Sequence, residues 1–140
     1  MAEVTVRRGG AEDLEAVAQI QAAWPGIVQW DPTDYLAHDF RVAVREGRVM
    51  GFVVARQVGS GESEVLNLAV DPAWRRSGIG GTLLDTIKLQ YPGAIFLEVR
   101  ESNRNARAFY KSLEFNEVSV REKYYDNPLE SAIVMKFHSC

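Results

Sequence analysis

Residues 66–81 read Leu66-Asn67-Leu68-Ala69-Val70-Asp71-Pro72-Ala73-Trp74-Arg75-Arg76-Ser77-Gly78-Ile79-Gly80-Gly81. The run up to Val70 suits a strand, and Asp71-Pro72 ends it, because proline cannot donate to a ladder. From Ile79 onward, Ile79, Leu83, Leu84, Ile87 and Tyr91 recur at helical spacing until Pro92-Gly93 stops the pattern. A strand, a glycine-rich loop and an amphipathic helix therefore follow one another. Glycine admits positive φ and close backbone approach. The first turn of a helix has N–H groups without intrahelical partners and a partial positive charge. Together these make a phosphate cradle, to which Arg75 and Arg76 can add charge. The same residues also suit a flexible glycine turn with solvated arginines. The preceding strand and following helix favour the phosphate site. Two other phosphate loops are excluded. A dinucleotide fingerprint starting at Gly78 needs glycine at position 83, which is Leu83, and a P-loop needs Gly-Lys before Ser or Thr, a triplet that does not occur.

On the N-terminal side, Val4 to Arg8 alternates like a strand, and Leu14, Val17, Ala18, Ile20 and Trp24 have helical spacing up to Pro25. Asp31-Pro32-Thr33-Asp34 predicts a second helix start, with Asp31 as N-cap and Pro32 at the first position. That helix is expected to carry Tyr35, Leu36 and Phe40. The valine-rich runs Arg41–Arg45 and Val49–Val58 flank Glu46-Gly47-Arg48 as a hairpin, and Gly59-Ser60-Gly61-Glu62 turns into a strand over Ser63–Val70. On the C-terminal side, Ala94–Val99 reads as a strand and Asn103–Leu113 as a short helix. Val118–Val120 and Ala132–Phe137 read as a closing antiparallel pair. The expected order is β-α-α-β-β-β-α-β-α-β-β, an α/β (α+β) mixed sheet. The strands on either side of the long helix should be parallel, joined by a right-handed crossover.

The chain has 140 residues, 46% hydrophobic and 25% charged, which suits one domain over residues 1–140 and excludes a fibrous or disordered class. A net charge of -3 argues against a mainly electrostatic nucleic-acid binder. No window approaches 18 consecutive apolar residues, so no membrane span is expected. The first eight residues lack a signal-type apolar segment. Cys140 is the one cysteine, so a reducing, cytoplasmic setting is expected. His38 and His138 lie far apart, and His138 and Cys140 belong to a tail expected to fray, so no metal site is expected.

The spacing Arg75-x-x-Gly78-x-Gly80 after Leu66–Pro72 resembles the acetyl-CoA motif of the Gcn5-related N-acetyltransferases. Leu97-Glu98-Val99-Arg100-Glu101-Ser102-Asn103 through Ala108-Phe109-Tyr110-Lys111-Ser112-Leu113-Glu114-Phe115 resembles that superfamily's second half. Leu-Glu-Val-Arg-x-Ser-Asn, Tyr124-Tyr125 and Glu130-x-Ala132 with Met135 look like the bacterial ribosomal-protein-alanine N-acetyltransferases. The pattern departs at Glu114, where that family has glycine, at Ser131, where it has aspartate, and over Trp24 to Trp30.

The resemblance implies a GNAT-like fold and direct attack of an amine on the thioester of acetyl-CoA, without metal. It implies that Leu68, Ala69 and Val70 bind the pantetheine arm through their backbone, and that Arg75, Arg76, Ser77, Gly78, Ile79, Gly80 and Gly81 hold the pyrophosphate. A backbone N–H near Leu68 would polarise the acetyl carbonyl. Glu98 is the implied base. Alternation puts it with Phe96 and Arg100 on one face of its strand, and an ion pair with Arg100 or another basic residue is the plain alternative. Tyr110 is the implied acid beside the sulfur. A core aromatic is its alternative, and of the neighbouring pair Phe109 is the cheaper to bury. Asn103 either caps the short helix or bonds the pantetheine. Trp30, Tyr124 and Tyr125 would line the acceptor groove, and Arg104 and Arg107 would reach the adenosine phosphate or lie on a solvated face. The implied acceptor is a protein N-terminus, with a monomer or homodimer expected. Small-molecule amine transfer and a non-catalytic acyl-CoA-binding module are the competing readings.

Overall fold

A computed structural model describes residues 3–125 and 129–138, with Lys123 as backbone only. Ser139 and Cys140 lie outside the described residues. The chain divides into two compact units, Met1–Arg56 with Val65–Gln90, and Gln57–Glu64 with Tyr91–Cys140.

The first unit is built on β1 (Thr5–Arg8), β2 (Asp39–Arg45), β3 (Arg48–Gly59) and β4 (Glu62–Val70), neighbours in that order, with β3 and β4 running on into the second unit. β1 pairs antiparallel with β2 from Thr5↔Val44 to Arg8↔Arg41, and β2 pairs antiparallel with β3. Glu46 and Gly47 turn the β2–β3 hairpin with φ of 51° and 76°. Helices α1 (Leu14–Ala22) and α2 (Ile79–Gln90) have the expected bounds to within two residues. α1 is entered through Asp13, whose carboxylate takes both Arg7 Nη1 at 2.8 Å and Nη2 at 2.9 Å, and the N–H of Gly10 at 2.8 Å.

The second predicted helix is a 3-10 helix over Pro32–Ala37, capped as expected by Asp31, whose side chain accepts from Thr33 N. Phe40 is not on it. It lies in β2, paired with Val54. The extended φ of His38, at -121°, ends the helix one strand residue before Phe40. Phe40 still reaches the core, where Val17, Ile20, Tyr35, Val42, Phe52, Val54 and Ala69 pack with it. Each of the Val, Ile and Phe side chains contributes roughly 1.5–3 kcal/mol when fully buried.

In the second unit, the start of β4 pairs parallel with β5 (Ala94–Arg100), from Glu62↔Ala94 to Glu64↔Phe96, as expected for strands separated by a helix. β5 pairs antiparallel along its whole length with β7 (Glu130–His138), and β7 with β6 (Asn116–Tyr125). His138 is therefore part of a ladder, opposite Ala94, and not a frayed end. α3 (Arg104–Ser112) lies between β5 and β6 in the chain. None of the described helices is long and apolar enough to cross a membrane.

The parallel pair starts from a close backbone approach. Ala94 N–H donates to Gly61 O at 2.9 Å. A Cβ on Gly93 would meet Gly61 O at 2.3 Å, and Gly93 has φ +110°. Gly93→Ala should therefore destabilise by at least about 2 kcal/mol. Gly47→Ala, at φ +76° with open space around the added carbon, should cost about 1 kcal/mol. Urea unfolding of both variants checks the contrast, and equal midpoints would remove it.

Candidate active site

The loop singled out in the sequence leaves β4 through a 3-10 turn, Pro72–Trp74, capped by Asp71 accepting from Ala73 N at 3.0 Å. Arg76 and Gly78 both take left-handed φ, 62° and 85°. These residues reverse the chain before α2. Thr82 N–H makes a helical bond to Gly78 O at 3.0 Å. The N–H groups of Ile79, Gly80 and Gly81 precede it in the first turn, where no carbonyl lies four residues back in the helix. Arg75, Arg76, Ser77 and Gly78 are exposed, while Ile79 and Gly80 are buried against the unit's core. Ser77 Oγ donates to Trp74 O. Left-handed turns before a helix N-terminus form the kind of backbone concavity that takes an anion.

Along β4, Leu68 and Val70 are half-buried and Ala69 is buried. Val70 O accepts from the Trp24 indole N–H at 2.7 Å. Leu68 N–H donates to Asn67 Oδ1 at 3.0 Å. Asn67 Nδ2 in turn donates to the Tyr35 hydroxyl at 2.9 Å and to Val28 O at 3.0 Å. Gln21 accepts from the Tyr35 hydroxyl and donates to Trp30 O at 2.7 Å. This buried set fixes the carbonyls of residues 28 and 30, and burial pushes the Tyr35 phenol up from its ordinary pKa. Trp30 is 38% exposed, its ring 6.4 Å from that of Tyr35. Asn67, Gln21 and Tyr35 were not singled out in the sequence. Their signal, polar residues among apolar ones on a strand and a helix, is too common to stand out.

Glu98 lies in the middle of β5, opposite Val134. Its face alternates as expected: Ile95, Leu97 and Val99 are buried, while Phe96, Glu98 and Arg100 are partly so. The ion pair expected with Arg100 or another basic residue is made with Arg121. Arg121 Nη1, from β6, bonds Glu98 Oε1 at 2.6 Å, while Arg100 pairs with Glu130 Oε1 at 3.3 Å. Glu98 Oε2 is buried without a hydrogen-bond partner among the described residues. Arg121 lies over the Tyr124 ring, 3.9 Å from its centroid, and Arg100 over the Tyr125 ring at 4.4 Å. The two tyrosine rings meet edge-on at 5.1 Å. Desolvation, and then the Glu98 charge, push Tyr125 up to about 12. Glu130 takes the N–H of Ser102 at 2.5 Å, and bonds from Ser102 and then Arg100 hold its carboxyl below the usual range. The structure thus gathers Glu98, Tyr124 and Tyr125 with two arginines and Glu130.

Tyr110, not Phe109, is the more buried of the α3 pair, at 7% exposure. Its ring lies 5.1 Å from that of Phe109 and 5.6 Å from that of Phe115, which meets Phe137 at 5.6 Å. Phe137 is opposite Ile95, so these rings lie on the face of the sheet away from Glu98. Burial pushes the Tyr110 pKa up and keeps the phenol protonated. Asn103 is the α3 cap, its Oδ1 accepting from Ala106 N at 3.1 Å. Arg107 is committed to Glu117, at 2.8 and 3.1 Å, and to Glu101 O at 2.8 Å, which leaves Arg104 as the exposed arginine of the helix. Among the described residues no cluster of His, Cys, Asp or Glu could hold a metal ion.

A family model described as acetyltransferase (GNAT) family matches residues 11–115, and the chain belongs to that family. Over 97 residues it is 38% identical to the ribosomal protein bS18-alanine N-acetyltransferase of Escherichia coli strain K12, a match covering 65% of this chain and 65% of that protein. The matched stretch thus spans just under two thirds of the relative's length. The crystal structure of the ribosomal-protein-S18-alanine N-acetyltransferase from Escherichia coli superposes with a TM-score of 0.82 at 28% identity, covering 99% of this chain and 96% of that one. Ard1 from Thermoplasma volcanium superposes with a TM-score of 0.87 at 28% identity, covering 98% of each chain.

The departure at Glu114 has a measurable cost. Glu114 has φ 73°, just past the end of α3, where the N–H of Phe115 returns to Tyr110 O at 3.0 Å. This is a glycine position. Glu114→Gly should raise stability by about 0.5–1 kcal/mol, the relief of left-handed strain less the added unfolded-state entropy. Thermal unfolding of the two proteins measures it, and a lower midpoint in the variant would contradict it.

Proposed function

We propose that this chain is an acetyl-CoA-dependent N-acetyltransferase whose acceptor is the N-terminal α-amine of a protein. Family membership supports the donor and the reaction class. The observation that carries the mechanism is the half-buried Glu98 carboxylate, with Oε1 held by Arg121 and Oε2 without a partner among the described residues. An unpaired buried carboxylate oxygen is costly, and a proton donor such as an incoming amine or its relay water meets that cost.

In this reading, Leu68–Val70 and the Arg75–Gly81 loop hold acetyl-CoA, with the diphosphate on the first turn of α2. The amine nitrogen attacks the thioester carbonyl carbon, and its proton passes to Glu98 Oε2, directly or through water. The oxyanion that forms needs a donor, and the Leu68 N–H can serve once it is shared with or released by Asn67 Oδ1. The C–S bond then breaks, the amide forms, and the thiolate leaves. A free thiol has a pKa of about 8.5, so protonation of the sulfur helps its departure. Tyr110, whose phenol burial keeps protonated on the other face of the sheet from Glu98, is the proposed donor of that proton. Tyr124 and Tyr125 would line the acceptor path beside Glu98, a reading supported by the contacts Arg121 and Tyr125 make with Tyr124. An α-amine, of pKa about 8, loses its proton more readily than a lysine side chain at about 10.4, which favours an N-terminal acceptor. The names of the relatives, which specify alanine N-acetyltransferases, point to a peptide that begins with alanine. Cytoplasmic location is part of this reading.

The test is the pH–rate profile with an N-terminal alanine peptide and with a lysine peptide blocked at its N-terminus. Glu98→Gln should slow transfer about 100-fold near neutral pH and recover partly at higher pH, where free amine is already present. Identical profiles would show that Glu98 is not the base. Faster reaction of the blocked lysine peptide, or of a small polyamine, would overturn the acceptor. Tyr110→Phe should lower kcat on a similar scale, about 100-fold, with little change in acetyl-CoA affinity. Full activity in that variant would make Tyr110 a packing residue.

A further inference from the structure

The Glu98–Arg121 pair crosses a strand. Glu98 is opposite Val134, and Arg121 is opposite Ala132, two residues along the same strand. Directly opposed residues share a face, so Glu98 and Arg121 reach each other diagonally over β7, next to the small side chain of Ala132. Arg121 is itself held from the side by the Tyr124 ring at 3.9 Å. The other nearby arginine has a different assignment: Arg100 pairs with Glu130 and lies over Tyr125. The two oxygens of Glu98 are thus unequal, one in a 2.6 Å bond and one buried and unmet among the described residues.

We propose that Arg121 is a positioning residue: by anchoring Oε1, it makes Oε2 the oxygen that takes the acceptor proton. The proposal rests on the reading of Glu98 as the base. A glutamate carboxylate rotates in a broad, roughly two-fold well about its last torsion, so an unanchored one spreads its lone pairs over many directions. Anchoring one oxygen to a planar guanidinium, itself stacked on an aromatic ring, removes that freedom. It also leaves the second oxygen's lone pairs for the reaction. The Arg121 side chain is 51% exposed, so its removal should change stability little.

The experiment is a double-mutant cycle of wild type, Arg121→Gln, Glu98→Gln and both changes together. It uses the N-terminal alanine peptide at saturating acetyl-CoA, with a calorimetric titration of acetyl-CoA beside it. Arg121→Gln should lower kcat about tenfold, leave acetyl-CoA affinity unchanged, and be partly rescued by Arg121→Lys. In the Glu98→Gln background the same substitution should change kcat less than twofold. An equal loss in both backgrounds would show that Arg121 acts independently of Glu98 and overturn the proposal. So would wild-type kcat in Arg121→Gln, or a loss confined to acceptor KM, which would mark Arg121 as a direct acceptor contact. Impaired Glu98→Gln beside intact Arg121→Gln overturns the positioning role alone. A fully active Glu98→Gln, or no transfer by the wild type, overturns the base assignment or the function and the positioning role with it.

Discussion

Two backbones can meet at Gly61 and Gly93 only because Gly93 carries no side chain into the gap. The Ala94 N–H to Gly61 O bond sets the first rung of the parallel pair, and three residue pairs follow it. The second unit is laid out from that rung. β7 runs against β5 from Ala94 to Arg100, and β6 runs against β7. The register puts Glu98 opposite Val134, and everything that touches its carboxylate follows from that. A shift of one residue would turn Glu98 to the face occupied by Tyr110, Phe115 and Phe137.

A carboxylate on a sheet face with little access to water needs partners, and this chain provides them in matched form. Arg121 bonds Glu98 and lies over Tyr124, and Arg100 bonds Glu130 and lies over Tyr125. The arrangement differs in its remaining contacts. Glu130 spends its second oxygen on Ser102, which ties β7 to the turn before α3, whereas the second oxygen of Glu98 has no such partner among the described residues. One pair is closed and holds structure, and the other is open at one atom. The proposed role of Glu98 as the base rests on that inequality.

Much of this architecture was legible in residues 66–81, where a strand, a breaker, a glycine loop and an amphipathic helix follow in strict succession. Those features are local, and local patterns survive folding. The Phe40 assignment failed because a 3-10 helix uses up residues at a different rate from an α-helix, and His38 turns extended before a further helical turn can form. The partner of Glu98 was unreadable for a different reason. Arg100 is two residues away in the chain, but Arg121 becomes a neighbour only through the β5–β7–β6 order, which depends on a non-local return of β7. Tyr110 was placed second to Phe109 on hydrophobicity alone. The aromatic pocket formed with Phe115 outweighs that preference and satisfies the ring while burial keeps the proton on the phenol. Asn103 was left between two roles, and its bond to Ala106 N–H fulfils the capping one.

Strand β6 carries Arg121 and Tyr124 and is exposed over nearly all its length, from Asn116 to Tyr124 apart from the undescribed Lys123 side chain. Replacements on an exposed strand cost little stability, usually within about half a kcal/mol. Residues 66–81, by contrast, combine buried side chains with left-handed turns that few substitutions tolerate. Substitutions are therefore tolerated unevenly along this chain. The glycine loop resists change, whereas β6 can accumulate it without unfolding the protein. On the proposed acceptor role of Tyr124, new amine preferences could arise there by single substitutions, on a scaffold whose glycine loop stays the same.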